Sequence, residues 1–358
     1  MKLRNFKSLS VTSSESLRLF ESIKVLLLSQ NNSVVSLYKE IDSIQQLACD
    51  SQIKYGNWGI RILINGTGKS CKEISHDLFI KQTSESSYCQ ERKGISNLKS
   101  SGLDDFPNIL CPIDFFEDKR IIVSVYFDGH TFKRNLRKCL FTLNYRDAQA
   151  DFLTSCNAIG QWLYSFHNES MSRGNSTENE NLNSHELKNF LFPTEQKVLQ
   201  NHIDTKEIID EMKLILDNRL STSFKLCTIH GDFGIQNILI RNSKFKIIDW
   251  ENAHHGHPFN DCITYIVSIL DQSKFSPFNS VFITKAINSF IDSYLYKCPK
   301  SDKQLIKSLL VILAAHHTIK RDEWASKKEK THHFFIFNRK FLIELISNTY
   351  RTYKKIDM

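Results

Sequence analysis

Apolar positions follow two different rhythms along the chain, and the change between them sketches the organisation. Near the start, Thr12 and Glu15 have the spacing of a capping box, and Leu17, Phe20 and Leu27 continue it at helical period. Val34, Leu37, Ile41 and Ile44 have the same three-to-four spacing and predict a second helix. From about Gln52 to Phe127 the pattern becomes β-rich. Strands are predicted at Trp58 to Asn65 and Asp77 to Lys81, with Gly66-Thr67-Gly68 as a turn. Ser87 and Gln90 then suggest a capped helix with Glu91, Ile95 and Leu98 on one face, and a hairpin follows from Ile109 to Tyr126 around Glu117-Asp118-Lys119. Arg146 to His167 reads as a strong helix, and the Asn-, Ser- and Glu-rich stretch Asn168 to Ser184 as a mobile surface loop. Three short apolar runs, Cys227 to Ile229, Ile238 to Ile240 and Phe245 to Ile248, read as buried strands, and from Ser273 onward the period is helical.

Composition narrows this picture. A chain of 358 residues exceeds the size of a single core, so two lobes are expected. Nine scattered cysteines with no Cys-x-x-Cys argue against a disulfide framework or zinc ribbon and for a reducing, cytoplasmic compartment. Lys2, Arg4 and Lys7 are followed by no apolar run of the signal-peptide kind, and Leu309 to Ala315 is too short to span a bilayer and predicts a buried helix. Charge is uneven: Lys300 to Met358 holds thirteen Lys and Arg against six Asp and Glu, while the whole chain carries +8. A solvated basic face explains this, and so does attraction to a phosphorylated sugar or the surface of an anionic membrane. No base-reading motif is present, which argues against nucleic acid as a partner.

The chemistry is concentrated in His230-Gly231-Asp232-Phe233-Gly234-Ile235-Gln236-Asn237 and, after it, Ile247-Ile248-Asp249-Trp250-Glu251. Phosphoryl transfer needs a carboxylate to orient the attacking hydroxyl and oxygen ligands for Mg²⁺. Asp232-Phe233-Gly234 spells the metal-binding string of protein kinases, but the Asp-x-x-x-x-Asn that should lie upstream is missing, since Lys213 stands five residues before Asn218. Asp232 and Asn237 themselves have that step of five, so Asp232 is the candidate base and Asn237 and Asp249 the candidate metal ligands.

With Gly256-His257-Pro258-Phe259-Asn260-Asp261, these motifs resemble the aminoglycoside phosphotransferase and choline kinase family, in order and in spacing. The resemblance implies an α+β, bilobal protein-kinase-like fold: a helical extension over 1–50, a small antiparallel β N-lobe over 51–128 that binds the nucleotide phosphates, and a larger, mainly helical C-lobe over 129–358. It implies ATP and Mg²⁺ as cofactors. It also gives roles by position. Lys81, closing Leu78-Phe79-Ile80-Lys81, would hold the nucleotide phosphates, and Glu91 would orient it, with Glu85 as runner-up. Gly56 and Gly59 would form a loop over the phosphates, where glycine lets backbone N–H groups approach anionic oxygens. Tyr126 and Asp128 fall in the hinge that meets the adenine, His230 supports the base loop and Asp261 braces it. Gly160, Leu163 and His167 match the core helix beneath that loop, and Glu251 could tune the metal or touch substrate.

Other strings carry less. Gly68-Lys69-Ser70 lacks the earlier glycine of a P-loop and reads as a β-turn. His185-Glu186 does not complete a zinc motif, because residue 189 is Asn. Cys227 and Cys262 read as small buried residues. The expected activity is transfer of the ATP γ-phosphoryl group to a hydroxyl of a small molecule or glycan, neutral or anionic, such as a sugar or lipopolysaccharide-type intermediate. Polycationic aminoglycosides want an acidic pocket, which the basic C-terminal segment does not suggest, so an antibiotic- or choline-type kinase is the alternative. A pseudokinase scaffold is an alternative of another class. Protein phosphorylation is disfavoured, because Gly256 to Asp261 follows Asp249 too closely for an activation loop.

Overall fold

The computed structural model describes residues 7–9, 38–52, 57–70, 72–141, 145–173, 224–273, 279–329 and 333–357, with shorter pieces around 20–27, 181–182 and 208–211. The chain divides into two compact units. Met1–Lys99, Pro107–Asp128 and Lys246–Asn252 make the first, and Ser100–Phe106, Gly129–Phe245 and Ala253–Met358 the second.

The first unit is built on an antiparallel sheet of six strands: β1 (Lys7–Leu9), β2 (Tyr38–Gln52), β3 (Asn57–Gly68), β4 (Glu73–Gln82), β5 (Pro112–Phe116) and β6 (Ile121–Val125). Their spatial order is β1-β2-β3-β4-β6-β5. Period-two alternation puts Ile60, Ile62, Ile64, Leu78 and Ile80 in one fully buried cluster, which Phe20, Ile23 and Leu27 join from upstream. Each such side chain contributes about 1.5–3 kcal/mol by leaving water. The intervening positions are polar where it matters: Arg61 on β3 donates to both carboxylate oxygens of Asp77 on β4, at 3.0 and 2.6 Å.

Three expectations need correction here. Of the segment predicted as a second N-terminal helix, Ile41 and Ile44 lie in strand β2, so the sheet begins well upstream of residue 51, while Val34 and Leu37 lie outside the described residues. Register shifts between Tyr38/Glu40, Ile41/Ser43 and Gln46/Ala48 insert extra residues into the alternation. A bulge of this kind puts Ile41 and Ile44, three apart, against the same core, which imitates helical spacing. The predicted Gly66-Thr67-Gly68 turn is a continuation of β3, and the reversal falls at Lys69 and Ser70. Helix α1 (Glu85–Ser100) starts two residues before the proposed capping box: the Ser84 hydroxyl accepts from the Ser87 N–H and is the cap.

The second unit is mainly helical, with α2 (Phe132–Phe141), α3 (Tyr145–Arg173), α4 (Phe259–Ser273), α5 (Ser280–Tyr294), α6 (Lys300–Glu329) and α7 (His333–Asp357). The small-sheet-plus-helices expectation for the fold class therefore holds. Short strands accompany the helices: β7 (His130–Thr131), β8 (Asn181–Leu182), β9 (Phe224–Lys225), β10 (Cys227–Ile229), β11 (Ile238–Arg241), β12 (Lys244–Ile247), whose last two residues are counted with the first unit, and β13 (His254–Gly256). Helix α3 packs on α5 so closely that a methyl group on Gly160 would overlap the Ser293 hydroxyl and the Phe290 carbonyl. α3 runs on through the first residues of the stretch read as a loop, as far as Arg173. An i,i+4 ion pair, Glu169 with Arg173 at 2.7 Å, supports that last turn, and buried Ser170 accepts a 2.6 Å hydrogen bond from the Thr228 N–H. Residues 174–180 and 183–184 of the same stretch lie outside the described ones. Leu309 to Ala315 lie buried within α6, as their pattern predicts. Among the described residues, no helix is long and apolar enough to cross a membrane.

Candidate active site

The candidate residues fall in both units. In the second, strand β10 leads into the loop that carries Asp232. Gly231 adopts φ +79°, a left-handed turn that glycine takes without strain, and the chain then reverses at once. The Asp232 carbonyl accepts from the Gly234 N–H at 2.8 Å, and the Gly234 carbonyl accepts from the Asn237 N–H at 2.9 Å. This folding closes the step of five. The Asn237 amide nitrogen donates to the Asp232 carbonyl at 2.9 Å and to its carboxylate at 3.0 Å. The amide nitrogen is thereby fixed toward Asp232, so the amide oxygen Oδ1 points to the other side. Asn237 is buried and Asp232 is partly exposed.

The loop hangs from one buried carboxylate. Asp261, at the start of α4 and fully buried, accepts from the His230 N–H at 2.8 Å and the Gly231 N–H at 2.9 Å. His167 on α3 completes its shell, with Nε2 at 3.1 Å from the carboxylate and Nδ1 at 3.0 Å from the Tyr294 hydroxyl. A carboxylate only accepts, so Nε2 carries the proton. Burial alone would push the Asp261 pKa up, yet the hydrogen bond and charge of His167, with help from His230, hold it below the ordinary value. His230 is buried, and its Nδ1 accepts from the Asp232 N–H at 3.3 Å, which is a supporting contact. Beneath the loop, Phe233 stacks on Trp162 with ring centroids 5.9 Å apart, and Trp162 stacks on Phe166 at 5.3 Å. Ile235 donates its N–H to the Ser268 hydroxyl at 3.0 Å.

In the first unit, Lys81 and Glu91 form an ion pair at 2.6 Å, with the Glu91 side chain 6% exposed and that of Lys81 32%. Burial pushes the Glu91 pKa up, Lys81 pulls it down, and the charge of Asp249 adds to the rise; the net direction is upward. Asp249 thus acts electrostatically on the same pair. Its own segment is docked into this unit by backbone: Ile247 donates to the Asn108 carbonyl at 2.8 Å and accepts from the Leu110 N–H at 2.9 Å. Gly94 of α1 lies so close that a methyl there would overlap the Trp250 carbonyl. This corrects the expected boundary, which put Asp249 with the C-lobe. Asp249 has φ +68°, a conformation uncommon for a residue with a side chain and one that recurs at functional turns. Glu251 follows in a short 3₁₀ turn from Trp250 to Asn252.

The remaining expectations divide. Gly59 is in strand β3, opposite Lys81, and not in a loop; a Cβ there would come within 2.7 Å of the Phe79 ring. Gly56 lies outside the described residues. Tyr126 donates its N–H to the Asp77 carbonyl at 2.8 Å, so that group is engaged within the sheet. The Arg61 guanidinium lies 3.8 Å above the Tyr126 ring, and both Asp77 and Asp128 help raise the Arg61 pKa. Glu85 opens α1 at its exposed N-terminus, while Glu91 is the buried glutamate that meets Lys81. Cys227 and Cys262 are buried thiols with pKa pushed well up by burial, as small buried residues should be. Sequence reasoning missed Ser268, Gly94 and Arg61. The Ser268 hydroxyl meets a backbone N–H and Gly94 lets a backbone carbonyl approach, contacts that leave no signature in spacing; Arg61 is visible only as a charge in an apolar strand.

Residues 172–279 match the model of the phosphotransferase enzyme family, so the resemblance carried by the motifs holds over that stretch. A sequence comparison with curated proteins gives no match. Similar solved structures include a choline/ethanolamine kinase family protein from Mesorhizobium loti, at 9% identity over 93% of this chain and 98% of that one, TM-score 0.47. They also include a glucosamine kinase in complex with glucosamine, ADP and inorganic phosphate, at 12% identity over 92% and 100%, TM-score 0.49. A third is a choline kinase from Streptococcus pneumoniae, at 12% identity over 92% and 99%, TM-score 0.40.

Proposed function

We propose that this protein is a phosphotransferase that moves the γ-phosphoryl group of ATP to a hydroxyl of a small molecule or glycan. The observation that carries the reading is the cluster in the first unit: a cation held by a buried carboxylate at 2.6 Å, with Asp249 acting on the same pair. Phosphate binding wants such a cation, and a divalent metal wants such an oxygen ligand. Lys81, oriented by Glu91, would hold the nucleotide phosphates. Asp232, held by Asn237, would orient the acceptor hydroxyl and receive its proton as the hydroxyl oxygen attacks. The Asn237 Oδ1 and the Asp249 carboxylate are hard oxygen donors of the kind Mg²⁺ takes, alongside water and phosphate oxygens. When bound, Mg²⁺ supplies a counter-charge to the phosphates.

We infer the class of acceptor from charge. Several cations of the basic C-terminal segment are neutralised within their own unit: Lys307 by Asp292 at 2.9 Å, Lys354 by Glu211 at 2.5 Å, and Arg321 by Asp271. That pairing weakens the case for an anionic acceptor or a membrane-surface contact and favours a neutral sugar over a phosphorylated one. The reading is tested by thermal shift with ATP and with GTP, each with and without Mg²⁺, on the wild type and on Asp249→Ala. A nucleotide at a hundred times its dissociation constant adds about 2.7 kcal/mol of stability. A Mg²⁺-dependent shift that Asp249→Ala loses is expected; no shift with either nucleotide in a folded sample refutes the proposal.

A further inference from the structure

A cavity of about 560 Å³ opens among α5, α6 and α7, within the range of small-molecule sites. No residue of the base loop, of α3 or of α4 lines it, so it is not the place where Asp232 would meet an acceptor. One lining group is out of balance. Ser308, on α6, is fully buried, and among the described residues its Oγ has no hydrogen-bond partner. Hydroxyls on the helices around it resolve this problem by donating to the carbonyl one turn back: Thr284 to Ser280 at 2.9 Å, Thr318 to Ala314 at 2.8 Å, and Thr352 to Asn348 at 2.8 Å. Ser308 does not. A buried hydroxyl without a partner costs stability unless something else satisfies it.

The rest of the wall says what that something is. Asn288, Gln304 and Asn348 bring amides, each able to donate and accept, which suits a molecule whose own groups do both. Val311, Phe341 and Leu345 add an apolar patch. The lining charges are Lys285, Lys307 and Glu344, and Lys307 is bound to both oxygens of Asp292 at 2.9 Å, a carboxylate outside the lining that Lys303 also approaches at 4.0 Å. With Lys307 engaged by Asp292, Lys285 and Glu344 leave one charge of each sign in the wall, which selects neither an anion nor a cation. A ring with hydroxyls around its edge and C–H groups on its face matches all three properties.

We propose that the cavity between α5, α6 and α7 is a binding site for a neutral sugar, anchored by the Ser308 hydroxyl and separate from the base loop. The proposal does not rest on the phosphotransferase reading. The test uses methyl β-D-glucoside and N-acetylglucosamine as probes in titration calorimetry and thermal shift, with glycerol at equal concentration to correct for the general stabilisation that polyols give. The proteins are the wild type, Ser308→Ala, the rim variant Asn348→Trp, which fills the cavity from its exposed side, and Asp232→Asn. Saturable binding of at least one sugar is expected in the wild type and in Asp232→Asn, weakened by at least about tenfold in the two cavity variants. Without sugar, Ser308→Ala should melt no lower than the wild type, because it removes only an unsatisfied group. Absence of saturable binding overturns the proposal. So does binding that survives Asn348→Trp or is lost in Asp232→Asn, either of which moves the sugar elsewhere. A lowered melting temperature for sugar-free Ser308→Ala overturns the role given to the hydroxyl.

Discussion

Replacing Lys81 by Met should destabilise the protein in a manner that depends steeply on pH. The Glu91 side chain is 6% exposed and its carboxylate has Lys81 at 2.6 Å, so methionine keeps the stem's packing and removes only the charge. Removing one member of a buried pair costs about 3–5 kcal/mol, and the low end applies because Lys81 is a third exposed and water can partly replace it. The sign with pH follows from Glu91. Its folded pKa is already raised, chiefly by burial, and without Lys81 it rises further. A raised folded pKa gives stability that is complete below the unfolded value and lost as pH climbs through the folded one. The variant should therefore lose about 3 kcal/mol at pH 7.5 and progressively less as the pH falls and Glu91 takes up a proton, at a limiting slope of about 1.4 kcal/mol per pH unit. Urea denaturation at pH 7.5 and near pH 5 measures this. Adding Glu91→Gln to Lys81→Met should restore most of the loss at pH 7.5. Equal destabilisation at the two pH values, or no rescue by the second substitution, would refute the account of a buried carboxylate balanced by one cation.

Three further outcomes are expected. Gly160→Ala should lower stability by about 1–3 kcal/mol in thermal melts despite alanine's higher helix propensity, since the new methyl overlaps Ser293 and Phe290 and forces α3 and α5 apart. His257, buried, has its pKa lowered to about 3 by burial and by the charge of His167. Its neutral form is thus favoured in the fold: its contribution is complete above about pH 6.5 and is lost on acidification toward pH 3, at up to about 1.4 kcal/mol per unit. His257→Gln should flatten the stability profile across that window, and an unchanged slope would assign the acid sensitivity elsewhere. Asp261→Asn keeps one acceptor oxygen where two held the loop, so the His230 and Gly231 amides should exchange with deuterium far faster than in the wild type, and amides of the β3–β4 hairpin should not.

What could be read in the chain without its fold depended on how local the information was. The Asp232 to Asn237 step was legible because both ends of the contact lie within one turn of loop, and spacing alone brings the amide to the carboxylate. Ile60, Ile62 and Ile64 were legible for the same reason, through unbroken alternation. Strand β2 was not, because bulges change its period, and a pattern of threes and fours does not distinguish a bulged strand from a helix. Ser84 against Ser87 as the cap of α1 turns on which of two serines finds a free N–H three residues on, a choice made by the first turn of backbone.

The placement of Asp249 lay beyond sequence for a deeper reason. Twelve residues after Asn237, it looks like part of the same segment, yet the backbone bonds of Ile247 to Asn108 and Leu110 and the approach of Gly94 to Trp250 carry it into the first unit, beside the Lys81–Glu91 pair. Each of these contacts uses backbone atoms, which every residue has, or the lack of a side chain. None writes itself into the pattern of polar and apolar positions. The consequence is physical as well as interpretive. The charge of Asp249 opposes ionisation of Glu91 while Lys81 favours it, so a divalent cation on Asp249 would remove part of that opposition and strengthen the ion pair. Mg²⁺ and the Lys81–Glu91 pair should therefore stabilise each other, and the Mg²⁺ dependence of nucleotide binding should shrink in Glu91→Gln.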